Sequence, residues 1–283
     1  MEQKPSENER IIEIELERLR DFKNHPFKIM DDRQMDELKD SIRHFGVLSP
    51  LVVRPVPEGF YEIISGHRRK HAAQELGYRK VPVIIRVLDD EQAVINMVDA
   101  NLHREVIYPS EKAAAYKLKY EALKRSSGRQ KKGQPDHPYK GLRTVQIIGR
   151  DLGDSPKQVQ RYLKITELIP ELMQMLDNDK ISFNPVFELA YLNQNEQKQV
   201  AEVLQAMECA PSISQAQRIK ELSQTGEFSR EQVQSILGEV KKGEIKRVVF
   251  KNEQLHRYFP REYSPEQMKQ AILELLNNYL KTQ

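Results

Sequence analysis

The stretch Phe60-Tyr61-Glu62-Ile63-Ile64-Ser65-Gly66-His67-Arg68-Arg69-Lys70-His71-Ala72-Ala73 decides how the N-terminal part of the chain folds. Phe60 to Ile64 is a short run of β-branched and aromatic residues, Ser65-Gly66 is a turn, and Lys70 to Leu76 has a helix-forming composition. A strand that turns on glycine into a helix exposes the free N–H groups and positive dipole end of that helix, which favours a bound anion. Gly66 permits close backbone approach, and Arg68 and Arg69 add charge-assisted donors for phosphate oxygens. The same spacing also fits a glycine turn with two solvated arginines. The two readings part on whether Arg68 and Arg69 converge on one cavity.

Outward from this turn, Ile12, Ile14 and Leu16 alternate with Glu13 and Glu15 as in a half-buried strand. Met35, Leu38, Ile42 and Phe45 fall at helical spacing, with Gly46 as a stop. Leu51 to Arg54 and Val81 to Val87 read as further strands. Helices are expected to begin near Asp89 or Asp90 and near Ser110. The second of these nucleating segments follows Asn101-Leu102-His103-Arg104-Glu105, which offers an amide oxygen for a hard cation and another guanidinium, or else is an ordinary helix end.

At 283 residues the chain should hold two or three domains. Its formal charge of +3 is too small to indicate a nucleic-acid partner, so the distribution of charge has to decide. Lys124, Arg125, Arg129, Lys131, Lys132, Lys140, Arg143, Arg150, Lys157, Arg161 and Lys164 stand against only Asp136, Asp151 and Asp154, which makes the middle third basic. The single Cys209 forms no internal disulfide, and no Cys/His spacing suggests zinc. Met1 to Arg10 has no apolar core, and no run of about 18 apolar residues occurs, which argues for a cytoplasmic protein with no membrane partner.

Thr144 to Tyr162 fits a helix-turn-helix, with Gly149, Gly153 and Val159 at the spacing that lets two helices pack across a tight turn. Ser155 suits the cap of the second helix and Pro156 its first position, so Lys157, Gln158, Gln160 and Arg161 project from its early turns. These side chains suit base edges in a major groove, while Arg150 and Lys164 could reach phosphates. The alternative is a helical hairpin with a solvated face. Met173, Met175, Phe183, Phe187 and Tyr191 are core candidates in the helices that follow. Near the end, Val248 to Phe250 is a strand candidate, and Ser264-Pro265-Glu266-Gln267 opens a helix with the apolar face Met268, Ile272, Leu275, Leu276 and Tyr279.

Three blocks resemble the N-terminal domain of the ParB/RepB-like partition family. The first is Asn24-His25-Pro26-Phe27-Lys28 with Leu38 to Ile42 and Gly46 to Arg54. The second is Ser65 to Ala73, similar to the family's Gly-Glu-Arg-Arg box. The third is Ala100 to Glu105 with Pro109 to Ala113, similar to its Glu-Asn-x-x-Arg box. The resemblance implies an α+β protein: a small mixed α/β nucleotide-binding domain over residues 11–125, then an all-α helix-turn-helix domain. A basic flexible linker at 126–143 precedes the helical domain at 144–240, and a small C-terminal α/β module at 241–283 could dimerise.

It further implies CTP with Mg2+ as ligands, with Gly66, Arg68, Arg69 and Arg104 at the phosphates and Ser65 and His67 also in the nucleotide site. Asn101 would face the metal, Gly46 and Val47 the base, and Lys28 replaces an arginine of the family motif. Expected partners are double-stranded DNA, a second copy of the chain and a ParA-type ATPase, on the nucleoid or a plasmid. The family's two glutamates are here His67 and Ala100. Alanine supplies no oxygen, so the chain is at most a weak CTPase. Two other readings stand beside this one. One is a transcription regulator of a mobile element that has lost nucleotide turnover. The other is an enzyme like sulfiredoxin, whose loop reads Gly-Cys-His-Arg where Gly66-His67-Arg68 stands here without the thiol.

Overall fold

Ile63 and Ile64, neighbours in the quoted strand, are both buried, at 0% and 1% exposure. Successive strand side chains point to opposite faces, so this sheet has to be covered on both sides. Ile63 packs with Leu51, Val53, Ala73, Val81 and Val83, whereas Ile64 packs with Phe22, Ala93, Met97, Val98 and Ala115. The computed structural model describes residues 10–102, 107–128, 142–239, 259 and 263–281. They separate into two units, Met1–Gly238 and Glu239–Gln283.

The sheet holds β1 (Ile11–Glu15), β2 (Leu19–Arg20), β3 (Leu51–Val56), β4 (Phe60–Ser65) and β5 (Lys80–Ile85), in the order β1-β5-β3-β4-β2. The β3–β5 and β2–β4 pairs are parallel; β1–β5 and β3–β4 are antiparallel. Helix α1 (Arg33–Phe45) ends at Gly46, and α2 (His67–Glu75) follows the Gly66 turn. On the other face lie α3 (Asp90–Asn101), opened by a capping box of Asp89 and Gln92, and α4 (Pro109–Gly128). Two expectations change here. Ile12 and Phe45, on the apolar faces that the strand and helix spacing indicate, are 41% and 70% exposed, because β1 is an edge strand and Phe45 ends its helix. Helix α4 also runs three residues into the stretch expected to be linker; residues 129–141 of that stretch lie outside the described residues.

Helix α4 is buried on several sides, as expected of a helix inside a larger core. Its Ala113 joins the cluster of the later helices, Ala115 joins the sheet cluster, and Tyr116 joins the cluster of α5 (Thr144–Leu152) and α6 (Pro156–Ile165). A polar row at i, i+4 and i+7 of the same helix grips the α5–α6 turn. Lys112 Nζ lies 2.8 Å from Asp154 Oδ2, and Tyr116 Oη donates to the same oxygen at 2.5 Å. Lys119, with 0% exposure, reaches Asp99 at 2.6 Å and Asp151 at 2.8 Å. Burial tends to raise the Asp154 carboxyl, but the bonds from Lys112 and Tyr116 outweigh it and hold that carboxyl below its ordinary value of 3.8.

The α5–α6 turn is closed by glycine. Gly153 adopts φ +74°, and a Cβ on Gly149 would stand 2.4 Å from the Asp154 carbonyl oxygen. Ser155 caps α6 by accepting from Gln158 N at 3.1 Å, with Pro156 in the first position. Helices α7 (Pro170–Asp177), α8 (Phe183–Leu189), α9 (Gln194–Ala206), α10 (Ile213–Thr225) and α11 (Arg230–Leu237) enclose Leu172, Leu189, Val200, Val203, Ile219 and Val233. Met173, Met175, Phe183 and Phe187 pack against that core as expected. Tyr191 does not: it is 47% exposed, with Lys164 and Lys220 over its ring at 4.6 and 4.9 Å.

In the second unit, α12 (Pro265–Lys281) begins at the expected box, Ser264 N donating to Gln267 Oε1 at 2.8 Å and Gln267 N to Ser264 Oγ at 3.3 Å. Met268 is buried there, whereas Leu275 is exposed. The strand candidate Val248 to Phe250 and the side chains of Leu276 and Tyr279 lie outside the described residues.

Gly149→Ala forces a backbone carbonyl to move, so it should cost about 1–3 kcal/mol in urea unfolding, more than Gly153→Ala, whose cost is conformational alone at about 1 kcal/mol. A depressed native carboxyl means that the unfolded chain binds more protons just below pH 3.8, so the Asp154 contribution is complete above that value and is lost as pH falls further. Asp154→Asn should therefore flatten the acid limb of a Tm-against-pH curve.

Candidate functional site

Gly66 stands at the head of α2 with φ +107°, a conformation open mainly to glycine. A Cβ there would lie 2.8 Å from Leu51 Cγ and 3.4 Å from an Arg69 guanidinium nitrogen. The turn is thus pressed against β3 and roofed by Arg69. Arg69 Nη1 donates to the carbonyl oxygens of Ser49 at 2.7 Å and Pro50 at 2.9 Å, which ties the Gly46–Pro50 turn to α2. Arg68 Nη2 bonds Asp32 Oδ1 at 2.8 Å. Asp32 is the N-cap of α1, and its carboxyl sits below the ordinary 3.8, first through the Met35 N–H and then through Arg68.

The two guanidiniums therefore serve different partners rather than one shared cavity, and the expected convergence on a phosphate pocket is not present in this structure. Arg68 holds the start of α1, and Arg69 holds the chain just after it ends. Of the remaining candidate residues, two are shut away from a ligand. His67 is buried at 3% exposure, accepts the Phe22 N–H at Nε2 over 3.4 Å, and lies against the His25 ring at 3.9 Å. Asn101 is also buried, its amide donating to the Met97 carbonyl at 2.8 Å. Lys28 is exposed, and its backbone N–H is held by Glu111 at 2.8 Å. Ser65, Gly46 and Val47 are half-buried around the turn. Arg104 lies outside the described residues.

A hard cation such as Mg2+ takes oxygen ligands, commonly one or two carboxylates together with substrate phosphates. The last turn of α3 supplies the Asn101 carboxamide, no oxygen at Ala100, and at Asp99 a carboxylate already held by Lys119. The described residues there do not assemble a carboxylate site for a metal. A different group, Asp31, His71 and Glu75, brings three ligand atoms within 4.8 Å of one another, but Lys39 Nζ already sits 2.5 Å from Glu75 and 3.5 Å from Asp31.

On the helix pair, Arg150, Ser155, Lys157 and Gln160 are exposed, and Gln158, Arg161 and Lys164 are half-buried. Arg161 turns inward to α8: it bonds Asn184 and lies 4.8 Å from the rings of both Phe183 and Phe187. Lys164 pairs with Glu167 at 2.5 Å. Between α6 and α8 opens a cavity of about 370 Å³ lined by Lys157, Gln160, Arg161, Asn184, Phe187 and Tyr191 among others. Of the three acidic residues expected to dilute the basic run, Asp151 and Asp154 are committed to α4, so the exposed face of the pair is more basic than the sequence count suggests.

Residues 1–102 match the family model of the ParB N-terminal domain. The chain is 28% identical over 211 residues to the chromosome-partitioning protein Spo0J of Thermus thermophilus, covering 75% of this chain and 70% of that one. It is 38% identical over 109 residues to the nucleoid occlusion protein of Listeria innocua, covering 38% of each chain. Among solved structures, C-terminally truncated ParB of Caulobacter crescentus complexed to the centromeric parS site overlaps 80% of this chain and 98% of its own, at 21% identity and a TM-score of 0.45. The same protein complexed with CTP-gamma-S overlaps 68% and 97%, at 26% identity and a TM-score of 0.31. Among the described residues, no helix is long and apolar enough to cross a membrane. The family-model match covers residues 1–102, the part of the chain that holds the Gly66 turn, and does not extend to the α5–α6 pair.

Proposed function

We propose that this chain is a ParB-like DNA-binding protein of chromosome or plasmid partition, with a CTP site at the Gly66 turn and a duplex-reading helix at α6. The observation that carries the reading is the pair α5–α6. Its turn is closed by Gly149 and Gly153, and its second helix is capped by Ser155, so that Lys157 and Gln160 are exposed in the first turns of the helix, as is Arg150 in α5. Helix starts of this kind present side chains to base edges, while nearby cations meet phosphates. Arg161 and Lys164 act behind them, holding α6 to α8 and to its own C-terminal turn.

CTP enters through the resemblance of the Ser65 to Ala73 box. For one phosphate chain to engage both arginines, Arg68 would have to leave the Asp32 carboxylate and Arg69 the Ser49 and Pro50 carbonyls. Binding would then release the Asp32 end and the Ser49–Pro50 end of the α1 segment together. With Ala100 in place of a carboxylate, and Asp99 engaged by Lys119, turnover is expected to be slow, and the nucleotide acts as a bound effector. A homodimer and a ParA-type ATPase are the partners this reading implies. The loss of the carboxylate also favours a second reading, a regulator that keeps the nucleotide domain for assembly; a neighbouring gene for a ParA-type ATPase would argue for partition.

Two measurements bear on the two sites separately. Titration with labelled CTP should give saturable binding that weakens at least tenfold in Arg69→Ala; equal affinity in the variant would reject the Gly66 pocket. Selection of duplexes from a random pool at a stated salt concentration should yield a preferred sequence. Lys157→Ala and Gln160→Ala should then each lose about 1–3 kcal/mol on that sequence, and an unchanged preference would remove α6 as the reader.

A further inference from the structure

Lys119 is fully buried, yet it carries a charge that its neighbours satisfy from two different helices: Asp99 of α3 at 2.6 Å and Asp151 of α5 at 2.8 Å. The two carboxylates are less enclosed, at 40% and 21% side-chain exposure. Taking an ammonium out of water costs several kcal/mol, and apolar replacements of buried ion groups are often neutral or stabilising. Stability alone is therefore a weak reason for a charge at this point. What an ammonium gives that a methionine cannot is direction, because its three donors fix two carboxylates to one position. Here that position is where the end of α3, two residues before Asn101, meets the last turn of α5, two residues before Gly153.

From this we infer that Lys119 is a positioning residue for DNA reading: it sets the seat of the α5–α6 pair against α3 and α4, and so the angle at which Lys157 and Gln160 meet a duplex. The inference rests on α6 being the reading helix, as proposed above. Neighbouring contacts agree with the assignment. Lys112 and Tyr116, on the same face of α4, hold Asp154 on the other side of the same turn, and Tyr116 meets the Tyr162 ring of α6 at 5.5 Å. Lys119 on that face bonds both α3, through Asp99, and α5, through Asp151.

The test separates position from stability. Lys119→Met alone leaves two facing carboxylates without their ammonium and should lower Tm. The neutral triple variant, Lys119→Met with Asp99→Asn and Asp151→Asn, removes all three charges together and should keep Tm within a few degrees of the parent chain. Fluorescence anisotropy with the selected duplex, without nucleotide, is then read on the full-length chain. The inference expects the triple variant to bind at least tenfold more weakly and to discriminate less between the selected duplex and a scrambled one. A residue with a merely structural role would move Tm and leave this discrimination intact. Parental affinity and parental discrimination in a folded triple variant would overturn the inference. Should the triple variant not fold, Asp151→Asn, which keeps the Lys119–Asp99 bond, is read by the same discrimination ratio, and a parental ratio overturns the inference equally. If the parent chain selects no duplex while binding CTP, the reading of α6 is what fails, and the seat has nothing to position.

Discussion

The structure depends on the burial of one helix from several directions at once. Ala113, Ala115 and Tyr116 of α4, within four residues, enter three different apolar clusters, and Lys119 one turn on is buried between two acids. Such a helix cannot shift without disturbing sheet, helix pair and later helices together, because packed interiors tolerate little displacement. The N-terminal sheet and the α5–α6 pair are for this reason parts of one unit ending at Gly238.

At the Gly66 turn a similar economy holds, though with hydrogen bonds in place of packing. The arginines that a phosphate would need are already satisfied by oxygens of the protein itself. Half-buried guanidiniums require acceptors, and here the protein's own oxygens supply them. Asp32 and the Ser49 and Pro50 carbonyls bracket α1, and exchange at one end of the helix would be felt at the other. Gly66 lets the turn lie this close to β3, because a Cβ there would stand 2.8 Å from Leu51 Cγ.

Local chemistry was the legible part of the sequence. The stop at Gly46, the turn at Gly153, the caps at Asp89 and Ser155 and the box at Ser264 and Gln267 all act within four residues, and each lies where its pattern indicates. Strand β2 is two residues long and has no period to read. Long-range pairing was not legible at all. A lysine in a helix reads as solvated, and nothing near Lys119 announces that Asp99 and Asp151 close on it. The same holds for Arg68 and Arg69, whose partners lie 36 and about 20 positions away, and for Tyr191, whose aromatic character suggested a core that two ammonium groups instead keep at the surface.

If the Gly66 turn and the helix pair work as one device through α4, a ligand at the first has to be felt at the second. Amide hydrogen exchange with and without CTP, in the absence of DNA, tests this most directly. The account predicts altered protection both around residues 46–73 and across Thr144–Ile165. Changes confined to the first segment, with the helix pair exchanging as before, would contradict it.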